Sequence, residues 1–80
     1  MAIYIEIRKI FENENLVHYE YSGSMDSDYG VLKINKITAD MEVIRFAKND
    51  KEGFYASKAC MKLYEHWKKR EFPETTFWAS

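Results

Sequence analysis

The residues able to do nucleophilic or acid–base chemistry near neutral pH are few: one cysteine, Cys60, and two histidines, His18 and His66. A two-histidine metal site or a Cys–His dyad would be the shortest route to an enzyme, and neither is spelled out. The chain has no HExxH, no His pair at i, i+4 and no His–Cys ligand spacing. On a helix Cys60 and His66 project about 120° apart, so their spacing does not bring thiol and imidazole together. Asp26-Ser27-Asp28-Tyr29-Gly30 starts like a calcium loop and then departs from one. Its glycine comes one position early, and Ile37 stands where the closing glutamate belongs. The 3 glycines do not cluster, so no phosphate-cradling loop is present. The sequence predicts no catalytic residue, no metal ligand set and no cofactor.

Binding chemistry is better represented. Lys58, Lys62 and Lys69 fall on one side of a predicted helix, and Lys68 and Arg70 flank its end. Such a stripe can neutralise phosphates, with sheet tyrosines offering stacking surfaces to bases. Glu65 interrupts the stripe, and a net charge of −1 lacks the positive excess of nucleic-acid binders. A solvated helix face is the plainer explanation. Phe77 and Trp78 near the C-terminus are a second feature: they either fold back over the core or serve another chain. The third is the outward face of a predicted sheet, where Tyr4, Ile10, His18 and Val43 fall. A sheet covered on one side only leaves that face and its edges open to a partner. Tyr4, Ile10, His18, Val43, Phe77 and Trp78 are the expected partner-binding residues.

The elements that position these residues follow from periodicity. Phe54 to Arg70 is the one long helix: Ala56, Ala59, Cys60, Leu63, Tyr64 and Trp67 recur at helical spacing and form an apolar stripe. Asn49 and Glu52 have capping-box spacing, Asp50 suits the positive end of the helix dipole, and Pro73 blocks continuation. Ala2 to Phe11 and Leu16 to Tyr21 alternate as strands. A turn at Asn13–Asn15 sets Arg8 opposite Glu20 and Ile7 opposite Tyr21, with either Asn available for a left-handed backbone. Ser22 to Gly30 reads as a loop. Val31 to Ile37 and Met41 to Ala47 form a second hairpin, for which pairing Ile34 with Ile44 puts Ile44 and Phe46 inside and Lys36 opposite Glu42. That register also sets Lys33 against Arg45, a like-charge mismatch. The fold class expected is α+β: a four-stranded antiparallel meander over residues 1–47, one helix over 54–70 covering one face, and an aromatic tail over 71–80.

The totals agree with a single small domain. The chain has 80 residues, of which 46% are hydrophobic and 31% charged, and its aromatic share of 16% lets a few large side chains fill a small core. One cysteine forms no internal disulfide, and no apolar run reaches spanning length, which predicts a reducing, cytoplasmic setting and no membrane. Residues 1–50 carry six Lys/Arg against nine Asp/Glu, and residues 51–80 six against four, a mild polarity that names no partner.

The closing run LYEHWKKREFPETTFWAS resembles the ends of small bacterial proteins of unassigned role, through its Trp-Lys-Lys, Phe-Pro-Glu and Thr pattern. The likeness is confined to residues 63–80. It implies a strand-rich half followed by a helix, and no activity. The expected function is a small non-enzymatic interaction module, of immunity or antitoxin type in one concrete form, with an unidentified protein or a second copy as partner. The alternative is a weak nucleic-acid binder using Lys58, Lys62, Lys68, Lys69 and Arg70.

Overall fold

The computed structural model describes residues 4–23, 29–48, 50 and 52–79. The start of the first expected strand, the Asp26–Asp28 part of the calcium-like run and Asn49 of the expected capping box lie outside the described residues. Five strands and one helix follow in the order β1 (Tyr4–Glu12), β2 (Leu16–Gly23), β3 (Gly30–Asn35), β4 (Met41–Arg45), α1 (Phe54–Lys68) and β5 (Thr75–Ala79). The sheet is antiparallel with spatial order β4-β3-β2-β1-β5. Helix α1 lies across one face, where Ala56, Ala59 and Leu63 meet Ile5, Ile7, Val17, Tyr19, Tyr21, Leu32 and Ile34 in one buried cluster.

The first hairpin has the expected register, with Arg8 opposite Glu20 and Ile7 opposite Tyr21. Its turn is held by a side chain, not by a left-handed asparagine: Asn13 Oδ1 accepts the N–H groups of Asn15 and Leu16, both at 2.8 Å. Near that turn the ladder skips a residue between Lys9 and Phe11. The resulting bulge turns Phe11 out to pair with His18, whereas strict alternation from Ile5 and Ile7 would have put it inside.

The second hairpin corrects the expected register. Ile34 pairs with Met41 and Leu32 with Val43, so Val43 packs toward the core and Ile44 and Phe46 are exposed. The cause is the turn. Asn35 Oδ1 accepts from Ile37 and Thr38, Asn35 N–H donates to Asp40 O, and Ala39 takes a left-handed backbone at φ 67°. The strand ends at Asn35 instead of Ile37, the pairing shifts by an odd number of residues, and the whole of β4 changes face. Glu42 then lies opposite Lys33, with Nζ and Oε1 3.2 Å apart, and the Lys33–Arg45 clash does not arise.

The apolar stripe of α1 is narrower than its sequence suggests: Tyr64 is 45% exposed and stacks on Trp67. The helix ends at Lys68, two residues short of the expected end, in a reversal where Arg70 N–H bonds Trp67 O and Glu71 N–H bonds His66 O. This is the bonding pattern that a left-handed residue closes at a helix end, and Arg70 takes it at φ 59°. Its guanidinium sits over the Trp67 ring, 5.2 Å from the centroid. The reversal sends residues 71–79 back along the sheet, so the expected tail contains a fifth strand. Thr75 to Ala79 pairs with Arg8 to Tyr4.

Candidate functional site

Two tyrosines of β2 hold the start of α1 and the segment that follows its end. At the start, Asp50 is only 5% exposed and acts as the helix cap. Its Oδ1 accepts Tyr55 N–H at 2.9 Å, and its Oδ2 accepts Ala56 N–H at 3.0 Å and the Tyr21 hydroxyl at 2.9 Å. Tyr21 in turn accepts Ala47 N–H at 3.1 Å. Burial, together with the adjoining Asp50, pushes the Tyr21 phenol well above its ordinary value. Gly30 is required beside it, because a side chain there would run into the Tyr21 ring. At the other end the Tyr19 hydroxyl donates to Pro73 O at 2.9 Å, and Trp67 Nε1–H donates to Lys36 O at 2.9 Å. These hydrogen bonds hold the helix and the segment after it against the sheet.

One arrangement that the sequence gave no reason to expect has the order of a hydrolytic triad. His66 Nε2 lies 2.9 Å from Thr76 Oγ1, and His66 Nδ1 lies 3.7 Å from Glu71 Oε2. A nucleophile also needs space for a substrate. Thr76 pairs with core-facing Ile7, so its hydroxyl is on the helix side of the sheet. The nearby depression of about 290 Å³ is lined by Tyr4, Glu6, Ile7, Arg8, Thr75 and Thr76, most of them from the outward phase of β1 and β5, whereas the Thr76 hydroxyl is spent on His66. The imidazole therefore ties β5 to the helix. Cys60 is half-buried against the core, and burial raises its thiol pKa, which disfavours the thiolate. No group of three or more His, Cys, Asp or Glu side chains suited to a metal occurs among the described residues.

The sheet face away from α1 is where the expected partner residues divide. Tyr4 and Phe77 are exposed and stacked on each other, with ring centroids 5.5 Å apart. Ile10 is exposed in the bulge, and His18 is half-buried beside Phe11, with centroids 5.3 Å apart. Val43 and Trp78 do not belong to this surface. Val43 faces inward, and Trp78 pairs with Ile5 and packs on the core, because alternation sends it to the helix side once β5 has formed. Phe11 and Ile44 take their places, 49% exposed each. Phe11 escapes the sequence reading because single-residue periodicity does not mark a bulge, and Ile44 because the Asn35 turn shifts the register of β4.

The basic residues of the helix are partly engaged within the molecule. Lys58 Nζ lies over the rings of Phe54 and Trp78, at 5.3 and 5.4 Å, and Lys68 Nζ lies over Tyr64 at 5.4 Å. With Arg70 over Trp67, three of the expected phosphate-binding cations rest on this chain's own aromatic faces. Lys62 and Lys69 complete the stripe from the half-buried and exposed parts of the surface.

Fold and surface together define a small α+β domain, a five-stranded antiparallel sheet with one helix on one face. No helix among the described residues is long and apolar enough to cross a membrane. Comparison with protein-family models, curated proteins and solved structures finds no match for this chain.

Proposed function

We propose that this chain is a non-enzymatic protein-interaction module that docks its partner on the sheet face opposite α1. The observation that supports the reading is the set of apolar side chains there, Tyr4, Ile10, Phe11, Ile44 and Phe77, each 42–51% exposed. They share the face with Arg8, Glu20, Lys33 and Glu42, which form cross-strand ion pairs between themselves. An apolar centre among internally paired charges suits a protein surface better than a phosphate backbone. An immunity- or antitoxin-like blocking role belongs to this class.

The test is capture of partners from native cell extract by immobilised protein. Ile10→Lys with Phe11→Lys is expected to abolish capture without unfolding the chain, since both side chains are about half exposed. Lys58→Glu with Lys62→Glu is expected to leave it intact. The reverse pattern, with binding that collapses as salt is raised, would replace this reading with nucleic-acid binding. Deleting residues 72–80 is not a clean alternative, because it removes β5 and bares the backbone of β1.

A further inference from the structure

Among the described residues β4 and β5 are the outer strands of the sheet, and they differ in how they guard their edges. Strand β4 carries Glu42 and Arg45, and its pairing with β3 shifts register between Val31 and Leu32. Charges and bulges of this kind discourage strand addition. Strand β5, Thr75-Thr76-Phe77-Trp78-Ala79, has no charge, no proline and an unbroken register against β1. Lys9 N–H donates to Glu74 O at 2.8 Å. The alternation of an antiparallel ladder then turns the main-chain groups of Glu74, Thr76 and Trp78 toward β1, and those of Thr75, Phe77 and Ala79 away from it.

We infer that β5 is a homodimerisation edge, pairing antiparallel with β5 of a second copy about a twofold axis at Phe77. This rests on the reading of the chain as an interaction module and assigns one partner to one edge of it. The argument for a copy is self-complementarity. With Phe77 on the axis, Phe77 faces its counterpart and Thr75 faces Ala79, so every outward N–H meets an outward C=O. On the open face the Tyr4–Phe77 stack meets the same stack of the second copy, which joins four rings into one apolar strip. On the helix side Thr76 lies opposite Trp78. No charged side chain of the strand lands opposite a like charge, and the two sheets join into one continuous sheet.

Sedimentation equilibrium on the full chain, from micromolar to millimolar concentration, is the measurement. The wild type is expected to show a monomer–dimer equilibrium. Phe77→Lys, which sets two ammonium groups face to face at the axis, is expected to weaken it by at least about tenfold. Circular dichroism checks that the variant remains folded. Phe77→Cys in a Cys60→Ala chain gives an independent reading if Phe77→Lys disturbs the fold. Opposed Cα atoms in a hydrogen-bonded pair are about 5.5 Å apart, within disulfide reach, so mild oxidation should yield a covalent dimer. A wild type monomeric at every concentration overturns the inference, and so does a dimer that ignores Phe77→Lys and gives no cross-link. Neither outcome touches the capture assay with Ile10→Lys and Phe11→Lys, so the two readings fail separately.

Discussion

The start of α1 and the segment that leaves its end are tied to the same strand by residues two apart, Tyr21 and Tyr19, and the ties differ in kind. The leading end closes on a carboxylate: Asp50 receives two helix N–H groups and one phenol in a buried site. The trailing end closes on main-chain carbonyls, those of Pro73 and Lys36, where the hydrogen bonds are only partly buried. A buried acceptor serving several donors cannot be removed without stranding them, whereas a carbonyl near the surface can turn to water. The leading end should therefore behave as one unit and the trailing end as separate small contributions. Around the trailing end, Glu12 adds a looser cluster, bonded to Lys9 at 2.7 Å and to Lys36 at 2.8 Å.

That contrast can be broken by experiment, beginning where the effect is greatest. Asp50→Ala removes the cap and leaves the Tyr21 hydroxyl without its acceptor, and is expected to cost about 3 kcal/mol in urea unfolding. A loss below that of any trailing-end variant would end the distinction. Tyr21→Phe and Tyr19→Phe are expected to cost about 2 and about 1 kcal/mol, the first bond being to a carboxylate and the second to a neutral carbonyl. Equal losses would show that charge and burial at Asp50 add nothing. The smallest effect concerns Glu12, whose pKa is lowered chiefly by its hydrogen bond from Lys36 and then by that from Lys9. A depressed folded pKa gives stability that is present above the ordinary glutamate range and lost as pH falls through the lowered value. NMR titration should place the Glu12 midpoint below the ordinary value, and Lys36→Met should move it up. A midpoint unmoved by that substitution would assign the shift to another source.

Much of this architecture was legible in the chain. The alternation of Ile5, Ile7, Val17, Tyr19 and Tyr21 defined both the first hairpin and the core face, because Arg8–Glu20 pairing and apolar phase point to the same register. Ala56, Ala59 and Leu63 defined the buried side of the helix. The second hairpin was misread because Ile34 and Ile44 offered an attractive apolar match. The like-charge clash of Lys33 with Arg45 in that register was the sign of the error. Asp50 was legible as a group near the helix dipole, but not as a buried cap bound to Tyr21. Of the candidate surface, Tyr4 and Ile10 could be read from strand phase and His18 in part, while Phe77 could be read only as an aromatic of the tail.

Local sequence determined the first four strands and the helix, since propensity and period are properties of neighbouring residues. Tertiary structure alone decided the face of β4, the outward turn of Phe11 and Ile44, and the capture of the last residues as β5. Each of these depends on how many residues a turn, a bulge or a helix reversal consumes. A change of one residue there inverts every side chain that follows, and only the assembled sheet and helix select among the counts.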